Sequence, residues 1–327
     1  MSKITVKDVA KLAGVSPASV SNVVNGINKC SLETRNKILQ AMSELNYRPN
    51  LTAKSLVTKK SNLIGLIYQG NRIFSFDEIL KGINFSLRSE EEYDYISMEY
   101  TDLPTVEEWI LKRNLDGLIL VGDFNNNILS HLDSLNRPIV CIDNYHETLK
   151  NISYVNSEDT FGAYLATELL IEKGVKNPIF ISSKLEIDEI AKRRYLGYIS
   201  ALEDYGIKFE ENMLIQLEST DFLQGKIIGA NLGNEVEGIL CSHDLLALGI
   251  LKSFYKKGVN SLNNIKIIGF ENIRGSEYTN PSLTTVDVKG FYKGEKASNL
   301  LIKRILGIVL EENEINVETE LILRETI

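Results

Sequence analysis

The sequence is sparing with the residues that announce special chemistry. Its 327 residues include three cysteines, Cys30, Cys141 and Cys241, odd in number and far apart, which argues against a disulfide framework. The three histidines, His131, His146 and His243, complete no metal-ligand cluster with them, so neither metal nor cofactor is expected. No apolar run approaches the roughly 20 residues that a bilayer-spanning helix needs. The polar start Met1-Ser2-Lys3-Ile4-Thr5 has no apolar signal region behind it, and a cytoplasmic location is expected. No glycine pattern of P-loop or dinucleotide type follows a strand, and no Ser/His/Asp arrangement rises above chance. No catalytic residue is assigned, and an enzyme is not expected.

What is present is an ordinary globular composition, 43% hydrophobic and 24% charged with six prolines. At roughly 150 residues per domain, the length implies two or more domains. The charge is unevenly placed. Residues 1–60 carry ten Lys and Arg against Asp8, Glu33 and Glu44, a net of +7, which leaves −15 for the remainder of a chain whose total is −8. A basic head on an acidic body suits phosphate contact at one end only. On charge alone, an unrelated basic surface accounts for it equally well.

The head reads as three helices. Thr5-Val6-Lys7-Asp8 has capping-box form, with the Thr5 hydroxyl placed to accept from a backbone N–H near Asp8. Val6, Val9, Ala10, Leu12 and Ala13 then fall mainly on one helical face. Gly14 supplies the turn, Ser16 the next cap, and Pro17 the first helical position, where its missing N–H costs nothing. Val20, Val23 and Val24 point inward at helical spacing, while Ala18, Ser19, Ser21 and Asn22 point out, and Asn25-Gly26 ends the helix. A third helix begins near Ser31 and runs through Ile38, Leu39, Met42 and Leu45. This is a helix-turn-helix pattern whose second helix exposes small and polar side chains to a major groove, with cap N–H groups for a phosphate. A three-helix bundle without a nucleic-acid role fits the pattern alone.

The run from Thr5 to Gly26, TVKDVAKLAGVSPASVSNVVNG, resembles the opening of the lactose/galactose repressor family, and Glu33-Thr34-Arg35 and Leu45-Asn46-Tyr47-Arg48-Pro49-Asn50 resemble the rest of its head. The resemblance spans about sixty residues without a gap. It implies DNA contacts from Thr5, Ser16, Pro17, Ala18, Ser19, Ser21, Asn22, Asn25, Thr34 and Tyr47. It also implies a hinge helix after Pro49, capped by Asn50, that forms on the operator and lies in the minor groove through Ala53, Lys54 and the wedging Leu56. An isolated helix of this length is not stable in water, so its order depends on DNA and on the spacing of the bodies below. The wedge costs on the order of a few kcal/mol of unstacking, offset by the contact a kinked duplex allows. The family usually has Arg where Asn22 stands. Arg reads guanine and Asn reads adenine, so an adenine preference is expected at that step of a near-palindromic operator.

From Leu63 the pattern changes to short apolar runs alternating with helical stretches. Strands are expected at 63–68, 94–98, 117–121, 138–143, 152–155, 178–182, 213–217, 238–241, 265–270, 284–288 and 320–324, and helices at 76–88, 160–173, 193–205, 245–257 and 291–306. Such alternation implies parallel sheets covered on both faces, with ligands at the carboxyl ends of the strands. The resemblance continues through Asp116-Gly-Leu-Ile-Leu, Arg194-Tyr-Leu-Gly-Tyr, His243-Asp-Leu-Leu-Ala-Leu-Gly249 and Pro281-Ser-Leu-Thr-Thr285. It implies the two-lobed α/β fold of type I periplasmic binding proteins, with three crossovers and an effector in the cleft. The expected organisation is a helix-turn-helix domain over 1–48, a hinge over 49–61 and a body over 62–327. The body's N-lobe spans about 62–158 and 289–316, and its C-lobe about 159–288 and 317–327.

Family positions carry Phe76 and Phe222 to the pocket walls and Arg194 and Asp244 to its hydrogen-bonding groups, with Asp143 beside them. Packing in the core is the alternative reading of the aromatics. The combination suits a sugar, whose ring faces pack on aromatics and whose hydroxyls take charged hydrogen bonds. His243 stands where the family usually has Asn, Glu271-Asn272 where it has an Asp pair, and Glu158 where it has Asp. These departures bring His243 and Glu271 into the cleft and leave a purine corepressor open. A homodimer is expected, because no leucine heptads follow the strand-like tail at 320–327. The reading is a dimeric, ligand-controlled repressor. A solute-binding protein and a sugar-active enzyme are the rivals, and neither explains the head.

Overall fold

The computed structural model describes residues 4–24, 30–47, 60–70, 76–90, 93–145, 149, 151–233, 235–257, 265–310 and 312–327. Asn25, Asn50, Ala53, Lys54 and Leu56, and with them the expected hinge helix, lie outside the described residues. The chain divides into two compact units, Met1–Asn62 and Leu63–Ile327.

The first unit contains α1 (Val6–Ala13), α2 (Pro17–Val24) and α3 (Leu32–Glu44). At the start of α1, the Asp8 carboxylate accepts from both the Thr5 N–H, at 2.8 Å, and the Thr5 hydroxyl, at 2.7 Å. The capping box expected from Thr5 and Asp8 is present, and the Thr5 hydroxyl also donates to Asp8. Gly14 ends α1 at φ +68° and lets the Val15 N–H reach the Ala10 carbonyl at 3.0 Å. Ser16 Oγ accepts from the Ser19 N–H at 3.1 Å, and Ser31 Oγ from the Thr34 N–H at 3.2 Å, so both later helices open on a serine cap. Val9, Ala10, Val20, Ile38 and Ala41 form the core, with Val6, Val23, Val24, Met42, Leu45 and Tyr47 packed around it. Leu12 and Leu39, which the helical pattern places inside, are each 46% exposed within this unit. Short helices bury only a narrow stripe, and both leucines fall off it.

The second unit holds two six-stranded sheets. One contains β1 (Leu63–Tyr68), β2 (Asp94–Glu99), β3 (Gly117–Val121), β4 (Ile139–Ile142), β5 (Ile152–Ser157) and β11 (Glu314–Val317), in the order β11-β5-β4-β3-β1-β2, all parallel. The other contains β6 (Ile179–Ser183), β7 (Leu214–Leu217), β8 (Gly238–Cys241), β9 (Lys266–Phe270), β10 (Thr284–Asp287) and β12 (Glu320–Ile322), in the order β12-β10-β9-β8-β6-β7. In this sheet β12 alone is antiparallel, paired with β10. The central strands are continuous apolar runs because helices cover both faces; every residue of β3 and β4 is buried. Strand β11 is unannounced in the sequence: Glu-Ile-Asn-Val occupies a sheet edge and alternates exposed with half-buried positions.

The covering helices are α4 (Phe76–Glu90), α5 (Leu103–Arg113), α6 (Asn126–Asp133), α7 (Asp159–Glu172), α8 (Glu189–Asp204), α9 (Phe222–Asn231), α10 (Asp244–Lys257) and α11 (Gly290–Ile305). Helices α4 and α11 pack backbone to backbone. A Cβ on Gly82 would lie 1.9 Å from the Phe291 carbonyl oxygen, and one on Gly294 2.1 Å from that of Ile79. The chain passes between the sheets three times, from β5 into α7, from β10 into α11 and from β11 into β12. Among the described residues, no helix is long and apolar enough to cross a membrane.

Candidate DNA-reading and ligand-binding sites

In the head, Thr5, Ser16, Pro17 and Ala18 are exposed, while Ser19, Ser21 and Asn22 are half-buried around the fully buried Val20. Ala18, Ser21 and Asn22 are three and four residues apart and therefore share one face of α2. Thr34, in the first turn of α3, is half-buried, with its hydroxyl 2.9 Å from that of Ser31. Tyr47 packs in part against the head's core. Small side chains on the open face of α2 leave its backbone free to approach a flat or grooved partner closely.

In the body, the carboxyl ends of both sheets converge on a buried charged cluster. Asp143 follows β4 at φ +56° and Glu271 follows β9 at φ +107°, both in backbone conformations that side-chain-bearing residues rarely adopt. Strain of this kind is retained where surrounding structure fixes it, commonly at functional positions.

The cluster is a relay of alternating charge. Lys293 Nζ, on α11, donates to both Asp143 oxygens at 2.6 and 2.7 Å and lies 3.4 Å from Ser157 Oγ. Ser157 donates to Asp159 Oδ2 at 2.9 Å, and the Tyr145 hydroxyl donates to the same oxygen. Asp159 Oδ1 receives Arg194 Nε at 2.7 Å. Arg194 also donates to the Ser242 carbonyl, lies 4.0 Å over the Phe270 ring, and stands 3.7 Å from Glu271 Oε1. His243 Nε2 is 3.8 Å from the same Glu271 oxygen, and its Nδ1 is 2.9 Å from Ser242 Oγ. Glu271 Oε2 is buried without a hydrogen-bond partner. The relay joins groups that follow strands of both sheets through the first crossover.

Burial sets the direction of most titrations here, and neighbours modify it. Burial pushes Asp159 up, but Arg194, Lys293 and the Tyr145 hydroxyl outweigh it and hold the carboxyl below its ordinary range. Burial raises Glu271 well above that range, with Arg194 opposing. Burial and then the Arg194 charge depress His243 to about 3, so the ring is neutral. Asp244 is raised to about 6 by burial, opposed by its hydrogen bonds.

The expected ligand groups separate into two kinds. Asp143, Arg194, His243 and Glu271 come together in the cluster. Asp244 is fully buried and committed elsewhere: Oδ1 accepts from the Thr285 hydroxyl at 2.6 Å, while Oδ2 accepts from Ser276 Oγ at 2.6 Å and the Ile273 N–H at 2.9 Å. It ties the loop after β9 to α10. Phe76 packs on Tyr68 at 4.4 Å between ring centroids, forming an aromatic corner at the end of β1. Phe222 begins α9 and is 41% exposed. Arg193 is half-buried with its guanidinium 4.3 Å over the Tyr145 ring.

Two cavities lie between the lobes. One of about 600 Å³ is lined by Gln69 and Asp123 from the first sheet's loops and by Glu186 and Glu189 across from them. Gln69 is aimed by its amide donating to the Asp123 carbonyl at 2.8 Å, which leaves Oε1 buried without a partner. The other, of about 330 Å³, is lined by Glu271, Asn272, Lys289, Phe291 and Arg324 among others. Sequence reasoning missed Lys293, Asp159 and Tyr145. For Lys293 a signal existed: it lies within the buried stripe Gly290, Lys293, Gly294, Ala297, Leu300, Leu301, where a charge demands a partner.

Comparison with known proteins agrees with both units. Residues 5–50 match the model for bacterial regulatory proteins of the lacI family, and residues 167–327 match that for a periplasmic binding protein-like domain. The chain is 30% identical to a probable HTH-type transcriptional repressor ExuR of Bacillus subtilis (strain 168), over 98% of each chain. Its fold is that of the Lac repressor dimer bound to operator and the anti-inducer ONPF, with a TM-score of 0.85, 23% identity and 99% of each chain covered. A complex of the transcriptional regulator CelR with cellobiose is similar at a TM-score of 0.74, again with 23% identity and 99% of each chain covered. With the head's capped helices and the two-lobed body both accounted for, the chain belongs to the LacI family of bacterial regulatory proteins.

Proposed function

We propose that this protein is a dimeric repressor that binds a near-palindromic operator and is controlled by a sugar held in the cleft between the lobes. The observation that carries the ligand half of this reading is the buried relay from Lys293 to Glu271. It spans both sheets and keeps one carboxyl oxygen, Glu271 Oε2, without a hydrogen-bond partner among the described residues. A polyhydroxyl ligand, whose hydroxyls both donate and accept, supplies that partner, and its apolar ring faces suit the corner made by Tyr68 and Phe76. The CelR complex with cellobiose shows that a chain of this fold holds a sugar.

On the DNA side, Thr5, Ser16, Ser19 and Thr34 serve the backbone phosphates, with the Ala18 N–H at the opening of α2. Ala18, Ser21 and Asn22 face the base edges, and Tyr47 buttresses α3. Asn25, Asn50, Ala53, Lys54 and Leu56 complete the contacts in this reading. Exposed Phe85 on α4 and Leu223 and Ile227 on α9 supply apolar surface for a second copy. Ligand that closes the lobes shifts a population between operator-competent and incompetent dimers. The chain acts by binding: Lys293 is paired with Asp143 and Arg194 with Asp159.

The test is a deletion of residues 1–60. Specific operator binding in gel shift is expected to vanish, while a thermal-shift screen of sugars and purines gives the same hit for the deleted and full chains. Operator binding that survives the deletion refutes the DNA half, and a screen answered only by purines refutes the sugar.

A further inference from the structure

A third cavity, of about 680 Å³, lies against the first and third crossovers, lined by Tyr145, Glu158, Asp159, Phe161, Arg193 and Glu314 among others; Asp159, held by Arg194, also belongs to the relay. It shares no lining residue with the two cleft cavities. Among the described residues, Arg193 is its one lining cation. The guanidinium stacks over the Tyr145 ring at 4.3 Å, makes no ion pair among the described residues, and has its Nε buried without an acceptor. A buried charged N–H left unsatisfied is costly, and an oxyanion that reaches it supplies a strong charge-assisted hydrogen bond.

The rest of the lining restricts what that oxyanion belongs to. Phe161 is 53% exposed and offers an apolar face. Glu158 and Glu314 repel a multiply charged anion and accept from hydroxyl or ammonium donors. We propose that this cavity is a second ligand site, taking a small hydroxy- or amino-acid whose carboxylate binds Arg193 and whose donors face Glu158 and Glu314.

The site is wired to the cleft. The Tyr145 ring under Arg193 carries the hydroxyl that donates to Asp159, and Asp159 holds Arg194 Nε at 2.7 Å. A carboxylate that draws Arg193 off the ring changes how Tyr145 holds Asp159, and so changes the donor that Arg194 presents to the cleft ligand. The two occupancies are therefore coupled, each altering the other's affinity by the same factor.

The test is isothermal titration of the full chain with gluconate, glutamate and inorganic phosphate. At least one of the two carboxylates is expected to bind, at least tenfold more weakly to Arg193→Gln and with a much smaller loss to Glu271→Gln, a cleft substitution that reaches this site only through the relay. Arg193→Lys keeps the charge without the planar fork and is expected to lose affinity severalfold, with circular dichroism verifying each variant's fold. The proposal is overturned if neither carboxylate binds at millimolar concentration, if Arg193→Gln or Arg193→Lys binds as well as the parent, or if phosphate binds more tightly than both. Because the readout is the Arg193 dependence of carboxylate binding and involves no DNA, its failure is separable from failure of the operator and cleft assignments.

Discussion

Lys293 Nζ sits 2.6 and 2.7 Å from the two oxygens of Asp143, across 150 residues of sequence, with the lysine side chain 1% and the aspartate 10% exposed. Removing either partner strands the other in a low-dielectric interior. Lys293→Met is expected to destabilise the body by about 3–5 kcal/mol, whereas adding Asp143→Leu to it recovers part of the loss. Urea unfolding followed by circular dichroism measures both. A single variant as stable as the parent shows that the pair is solvated.

The neutral His243 ring predicts an acid-side weakness. Its folded value, about 3, lies below the ordinary 6.5, so below pH 6.5 the unfolded chain takes up a proton that the native one refuses. Stability therefore falls as pH drops from about 6.5 toward 3, by roughly 2 kcal/mol between pH 6.5 and 5. Asp244 works the other way: raised to about 6, it favours the native state as pH falls from there toward 3.8. His243→Asn removes the first effect and leaves the second. Melting curves of the parent and variant at pH 5 and 7.5 should diverge on the acid side; parallel curves contradict the assignment.

Asn22 predicts base preference. Sites selected from random DNA are expected to carry adenine opposite Asn22, and Asn22→Arg should move the preference to guanine, each by about 1–3 kcal/mol of discrimination. Guanine fixed in sites chosen by the unaltered protein would rule this out.

The contact between α4 and α11 tolerates no side chain at its crossing. A Cβ on Gly294 meets the Ile79 carbonyl oxygen at 2.1 Å, backbone that cannot rotate away. Gly294→Ala should lower stability by about 1–3 kcal/mol or more through overpacking. An unchanged melting temperature would mean that the helices part freely.

Much of the fold is legible because its cores obey period. The apolar runs at β3 and β4 and the serine caps of α2 and α3 are local signals, and each marks its element. The short edge strand β11 is invisible for the converse reason: its four residues owe their conformation to pairing with β5. The cleft divides similarly. Arg194, Asp143, His243 and Glu271 follow from family positions, but the partner of each depends on contacts distant in sequence. Lys293 reaches Asp143 only because α11 returns to the first sheet. Asp244 shows the opposite limit, since a residue type suited to a ligand is saturated by Thr285, Ser276 and Ile273.

The third crossover has a consequence for how the chain is made. Residues 314–322 supply an edge strand to each sheet, β11 to one and β12 to the other. Neither lobe is complete until this short segment has left the ribosome, so the body cannot finish folding piece by piece as it emerges. A message cut short before residue 314 leaves β5 and β10 without their outer partners, two sheets with newly open edges.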